Sequence, residues 1–287
     1  MEFVTLNNGL QMPKLGYGVY QVTKEECERC VRDALDVGYR LIDTAQAYFN
    51  EAEVGKAIRE SGIPRDEIFV TSKVWISNYG YEKTKASVEH SLKLMGLDYL
   101  DLMLLHQPFA DYYGAYRALE DLQAEGKLRS IGVSNFYPRV IADLAAFARV
   151  VPQVNQVEVN PFHQQVEAQQ VMEQRKVQIE AWAPFGEGRN GMFEQPVLKQ
   201  IAAKHGKSVA QVILRFLMQR NVVALAKSTH KERMAENFNI FDFTLDQGYM
   251  DAIAALDNKQ SLFFDHASVQ AVDLFVSFSK AVGDKLV

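Results

Sequence analysis

FVTSKVWISNYGYEKTKASVEHSLKLMGLDYLDLMLLH, residues 69–106, holds two short apolar runs separated by one segment of helical period. FVTSKV and LDLMLL have the length and composition of buried strands. Between them, YEKTKASVEHSLKLM repeats its apolar residues every three to four positions and stops at Gly96, where a left-handed C-terminal cap is expected. A strand, a helix and a second strand in this order make the unit from which parallel sheets are built.

The same rhythm runs outward in both directions. Strands are predicted at 16–20, 40–43, 69–74, 100–106, 130–134, 153–157, 178–182 and 222–226. Helices are predicted at 24–37, 51–61, 81–95, 112–125, 138–149, 166–174, 209–220 and 231–238. Gly38, Gly62 and Gly126 stand at further helix stops, and Ser208 precedes an apolar run as an N-cap should. Eight strands, each followed by a helix, fit an α/β fold of the closed (β/α)8 TIM-barrel type. An open doubly wound sheet is the rival, but no strand is followed by its phosphate-binding G-x-G-x-x-G. Ahead of the barrel, a short strand from Phe3 into Asn8-Gly9 predicts an N-terminal β-hairpin with a two-residue turn. Extra helices are predicted at 195–204, before the seventh crossover helix, and at 246–256, after strand eight; from Asp257 onward no period is visible. Without a linker or composition break, one domain over residues 1–287 is expected.

Bulk properties narrow the function classes. The 287 residues are 48% hydrophobic and 23% charged, ordinary for a chain that buries a large core. A net charge of −5 argues against nucleic acid or acidic membrane surfaces as partners. The start MEFVTLNNGLQMPKL lacks the basic end and apolar run of a secretory signal, and no stretch approaches the roughly 18–20 apolar residues of a membrane span. Cys27 and Cys30 form a C-x-x-C inside a helical pattern, but no second pair completes a zinc site. They read as two thiols on one helix face, with no metal expected and a reducing cytoplasm as the default location.

In a barrel of this kind chemistry gathers at the C-terminal ends of the strands. Asp43 ends the second predicted strand, with Tyr48 five residues on; Lys73 lies in the third and His106 ends the fourth. The fifth ends in Ser134-Asn135, Gln156 lies in the sixth, Trp182 ends the seventh, and the eighth ends in Lys227-Ser228. Any one of these has a packing explanation, but a polar or stacking residue at every one of these ends does not. A lysine buried in IFVTSKVW needs an anionic partner, and Asp43 can supply it. Such a pair beside a phenol is expected to lower the Tyr48 pKa toward the working pH and make it a general acid. His106, after an apolar strand, would orient the substrate oxygen.

These segments resemble the aldo-keto reductases. GYRLIDTAQAYFNE from Gly38 is similar to the family's signature around its catalytic Asp and Tyr, TSKVW to its lysine segment and LLHQP to its histidine segment. GVSNF from Gly132 and NQVEVNPF from Asn155 resemble the stretches that hold the nicotinamide carboxamide, and AKSTHKERMAENF from Ala226 resembles the one that binds the adenosine phosphate. The motifs follow family order from about Leu10 to Phe264. The resemblance implies NADPH as cofactor and a small-molecule carbonyl as substrate, reduced by hydride transfer while Tyr48 protonates the oxygen. It assigns Asp43 and Lys73 to tuning Tyr48, Ser134, Asn135 and Gln156 to the carboxamide, and Trp182 to stacking on the nicotinamide. It also assigns Lys227, Ser228 and Arg233 to the 2′-phosphate, and Glu236 and Asn237 to the adenine. Ala226, where the family commonly has proline, and Thr229-His230 depart from its pattern and leave the ratio of NADPH to NADH open. Gln107, where many eukaryotic members have tryptophan, points to the bacterial branch, to diketogluconate reductase-like and glyoxal reductase-like members. A monomer is the family-like expectation. Tyr20, Trp75 and Phe109 are expected to line the substrate pocket, with residues after Leu262 closing one side. Two rival readings are a Schiff-base lyase using Lys73 or Lys227, and a barrel that binds cofactor but turns over little.

Overall fold

The computed structural model describes residues 1–286, with side chains placed through Val282. Val287, the last residue of the expected domain, lies outside the described residues. Strands β1 (Phe3–Thr5) and β2 (Gln11–Pro13) pair antiparallel as the expected hairpin. Its turn is longer than the Asn8-Gly9 dipeptide suggested. Gly9 N donates to Leu6 O at 2.8 Å and Leu6 N to Leu10 O at 2.9 Å, with Gly9 at φ +87°. The dipeptide therefore supplies a left-handed bulge residue after a turn, a geometry Gly adopts without strain.

Eight parallel strands then close a barrel: β3 (Leu15–Gly18), β4 (Leu41–Asp43), β5 (Phe69–Val74), β6 (Leu100–Leu105), β7 (Leu128–Ser134), β8 (Val154–Glu158), β9 (Gln178–Trp182) and β10 (Val223–Ala226). Each pairs with its neighbour in chain order, and β10 closes the ring against β3 through Ala224↔Leu15 to Ala226↔Tyr17. Strands buried on both faces explain why the predicted runs lacked alternation. The predicted 16–20 ends early, so Tyr20 lies beyond β3. Outside the barrel run α1 (Lys24–Val37), α2 (Glu51–Arg59), α3 (Tyr81–Met95), α4 (Tyr112–Ala124), α5 (Pro138–Phe147), α6 (Val166–Glu173), α7 (Pro196–His205), α8 (Val209–Gln219), α9 (Lys231–Phe238), α10 (Gln247–Ala254) and α11 (Val269–Leu286). Ser208 caps α8 through a full capping box with Gln211, and Gly96 ends α3 in the left-handed conformation. Cys27 and Cys30 are both buried thiols of α1. α7 and α10 are the two extra helices.

α11 corrects the reading of the tail as aperiodic. Ala271 and Phe275, four residues apart, are buried at 2% and 5% exposure, whereas Val272, Val276 and Phe278 on other faces are 44%, 50% and 47% exposed. Apolar residues on both sides of the helix blur the 3.6-residue period by which an amphipathic helix is recognised. The helix packs on the turns at Gln46–Tyr48 and Ile76–Asn78, both at the C-terminal end of the barrel.

At the other end, buried Asp101 accepts from Val70 N at 3.0 Å and pairs with Arg65 and Arg129, each at 2.8 Å. In mid-barrel the walls touch closely. A Cβ on Gly132 of β7 would press on the Val154 carbonyl of β8 and come within 2.8 Å of Leu104 Cδ2. Because Gly132 and Val154 are register partners two positions before Ser134 and Gln156, the fit also sets where those side chains emerge. Gly132→Ala should cost about 1–3 kcal/mol, the range for overpacking a core, read as a lower urea midpoint at unchanged m-value.

Candidate active site

The four residues singled out from the sequence converge at the C-terminal end of β4, β5 and β6. Lys73 is fully buried, and its ammonium donates to Asp43 Oδ1 at 2.5 Å and to the Thr44 carbonyl at 2.9 Å, with Tyr48 Oη at 3.5 Å. Those three partners match the three N–H bonds of an ammonium. Burial works against the Lys73 charge, but Asp43, Tyr48 and Glu180 outweigh it and hold the pKa above its ordinary value. A lysine kept protonated in this way is in the wrong state for a Schiff-base nucleophile.

Tyr48 is delivered by the one-turn helix Gln46–Tyr48. Its anchor is Gln46, whose Oε1 accepts from Trp75 N at 3.0 Å and Asn78 Nδ2 at 2.9 Å, while its Nε2 reaches Ser91 Oγ at 3.2 Å. Burial pushes the Tyr48 phenol up to about 12; Lys73 pulls it down and Asp43 pushes it further up. The expected lowering toward working pH is thus overturned. The Lys73 charge acts in the anticipated direction, but desolvation of the phenolate exceeds it, and the phenol keeps its proton at neutral pH.

The His106 ring stands edge-on to Tyr48 at 5.7 Å and to Trp75 at 5.2 Å. Burial, the Lys73 charge and His266 all keep His106 well below its ordinary pKa, so it is a neutral imidazole. Asn135, at φ +63°, draws the next strand ends together. It accepts from Trp182 Nε1 at 2.8 Å and donates to His106 O and Gln107 Oε1, each at 3.3 Å. Ser134 Oγ donates to Gln156 O at 2.8 Å, and Gln156 Nε2 donates to Asp43 Oδ2 at 3.0 Å. One hydrogen-bonded surface therefore runs from Tyr48 to Trp182.

The segment after β10 lies around the rim. Ser228 is buried, accepts from His230 N at 3.1 Å, and receives Tyr17 Oη on its carbonyl at 2.6 Å. Lys231 is paired with Asp33 and Asp36. Lys227 and Arg233 are exposed and form no ion pair among the described residues. Two uncommitted cations and a hydroxyl at the start of α9 have the chemistry of a phosphate grip. Glu236 is exposed and Asn237 buried on the same helix. The donor and acceptor set from Ser134 to Asn237 thus fits a dinucleotide carrying an extra phosphate.

Of the expected pocket residues, Trp75 is buried, Phe109 half-buried, and Tyr20 54% exposed with its ring 5.1 Å from Tyr48. Residues after Leu262 do close one side, as expected, and the structure adds which ones, His266 and Phe275, that the sequence left unnamed. Phe275 of α11 stands 6.2 Å from Trp75, 5.3 Å from Phe109 and 5.8 Å from His266, measured between rings. His266 Nδ1 meets Tyr137 Oη at 3.3 Å, while its buried Nε2 has no hydrogen-bond partner among the described residues. Burial pushes that imidazole down to about 4. Gln46, Glu51 and Glu180 were missed; their one signal was a polar residue inside or beside an apolar run.

Residues 7–258 match the family model described as Aldo/keto reductase family. The chain is 47% identical over 261 residues to the glyoxal reductase of Bacillus subtilis, covering 90% of this chain and 94% of that protein. Among solved structures, an aldo/keto reductase from Brucella melitensis superposes with a TM-score of 0.86 at 44% identity, over 89% of this chain and 99% of that one. The aldo-keto reductase of Bombyx mori in complex with NADP superposes with a TM-score of 0.88 at 33% identity, over 92% and 95% of the two chains.

Glu51, buried behind the lysine, accepts from Ser72 Oγ at 2.6 Å and Ser91 Oγ at 3.2 Å, and burial pushes it up to about 7. The folded protein therefore keeps a proton that the unfolded chain releases near 4.5, and stability falls as pH rises from about 4.5 to about 7. Glu51→Gln keeps an acceptor for one hydroxyl, turns an N–H toward the oxygen of the other, and removes that titration. Urea unfolding at pH 4.5 and pH 7 should show a stability loss smaller than that of wild type by about 2 kcal/mol.

Proposed function

The chain belongs to the aldo/keto reductase family, and we propose that it is an NADPH-dependent reductase of small aldehydes and ketones, sugar-derived carbonyls included, with Tyr48 as proton donor. The observation that carries the reading is the buried Lys73 ammonium shared between Asp43 Oδ1 and Tyr48 Oη. When bound, NADPH supplies the hydride; everything else is the work of this chain's residues.

Tyr48 holds a proton at the strand ends, against a carbonyl oxygen that needs one as negative charge builds on it. Lys73 stabilises the phenolate left behind. Asp43 keeps Lys73 charged and in place, and neutral His106 donates a hydrogen bond that aims the substrate oxygen at Tyr48. Ser134, Asn135 and Gln156 would hold the nicotinamide carboxamide and Trp182 its ring, with Lys227, Ser228 and Arg233 on the 2′-phosphate and Glu236 and Asn237 at the adenine. Tyr20, Trp75, Phe109 and Phe275 form apolar walls that favour compact substrates, in keeping with the glyoxal reductase named among its relatives. Residues 1–287 act in this reading as one domain, and two buried free thiols suit a reducing compartment such as the cytoplasm.

Oxidation of NADPH by a panel of glyoxals, aromatic aldehydes and ketoses, followed by absorbance, tests the activity. Tyr48→Phe should lower kcat by about 10²–10⁴-fold while the NADPH Kd from fluorescence titration stays within about twofold. Full turnover in that variant would remove Tyr48 from the chemistry. Arg233→Ala should raise KM for NADPH by about tenfold or more and leave KM for NADH unchanged, as loss of a charge-assisted phosphate contact requires.

A further inference from the structure

Glu180 has no part in the mechanism above, yet it is a fully buried acid in the barrel interior on β9. Its Oε2 accepts from Gln156 Nε2 at 3.0 Å, and that same nitrogen donates to Asp43 Oδ2, also at 3.0 Å. One amide nitrogen thus bridges two carboxyl groups. The Lys73 ammonium already has three acceptors, so the second oxygen of Asp43 depends on Gln156 for its donor.

A primary amide has two N–H bonds on one side and a carbonyl oxygen on the other. With both N–H bonds directed at Asp43 and Glu180, Gln156 Oε1 is left as an acceptor; it receives no hydrogen bond from the described residues and is not among the buried atoms lacking a partner. We propose that Glu180 is a positioning residue that locks the amide of Gln156 with its oxygen toward the cofactor, so that the site recognises the N–H of a nicotinamide carboxamide. The inference rests on the reading that Gln156 faces that carboxamide. Burial and the adjacent Asp43 charge push Glu180 well up from the ordinary carboxyl range, and in either protonation state the carboxyl has an oxygen that accepts the Gln156 N–H. Removing Glu180 strands one buried N–H of Gln156, and the amide must rotate to find another partner.

The test compares fluorescence-titration Kd values for NADPH and for its 3-acetylpyridine analogue, in which a methyl group replaces the carboxamide nitrogen. Wild type should prefer NADPH by about tenfold, the effect of one neutral hydrogen bond. Glu180→Met, matched in length, should bring the ratio within about twofold, and Glu180→Gln, which retains an acceptor, should restore it. Thermal unfolding establishes that each variant is folded, and Glu180→Ala replaces the methionine variant if that one is not. An unchanged ratio in the folded Glu180→Met or Glu180→Ala protein overturns the proposal. Gln156→Met separates the two ways of failing. If it too leaves the ratio unchanged, Gln156 does not face the carboxamide and both readings fall; if it abolishes the ratio while Glu180→Met does not, only the role of Glu180 falls.

Discussion

A single buried ammonium organises the C-terminal end of this barrel. Taking the Lys73 charge out of water costs several kcal/mol unless its N–H bonds are met by acceptors. The solution here draws on three consecutive segments: the carboxylate of β4, the carbonyl just after it, and the phenol of the following turn. Those partners cannot be replaced singly. Without Asp43 the charge is uncompensated, and without the turn the ammonium loses its third partner. The same constraint reaches Gln156 and Glu180, because Asp43 has a second oxygen to satisfy. Barrel geometry and site geometry are in this sense one requirement.

The principal architecture was legible because it rests on local, repeated signals. Buried parallel strands read as unbroken apolar runs, and a helix between two of them leaves its 3.6-residue period in the chain. Lys73 and Asp43 were legible for a different reason: a charge inside an apolar run demands a partner, and few candidates were near enough. Errors concentrated where a signal was short or mixed. The hairpin turn was misjudged because Gly9 suits a bulge as well as a two-residue loop. α11 escaped notice because Val272, Val276 and Phe278 are apolar on exposed faces.

Within the site, the strand-end residues were foreseen, Asn135 and Gln156 among them, but not the neutral groups that brace the Tyr48 turn and the outer wall. Gln46 anchors that turn, and His266 stacks in the outer wall. Neutral polar groups carry no demand that can be read from neighbours in the chain, since their partners lie tens of residues away. The pKa of Tyr48 shows the same limit. The neighbouring charge could be named in advance, but the depth of burial that outweighs it belongs to the folded molecule.

The seam between β10 and β3 joins the two ends of the barrel, and Tyr17 Oη reaches the Ser228 carbonyl across 211 positions of sequence. Contacts of that separation are among the last that a chain emerging from the ribosome can make, and their loop-closure cost grows only slowly, with the logarithm of the loop length. Ser228 opens the segment proposed to hold a phosphate, and its carbonyl is fixed by a contact that exists only in the closed ring. A nucleotide held there distinguishes a sealed barrel from one still open along this edge, and by mass action it draws the chain toward the sealed form.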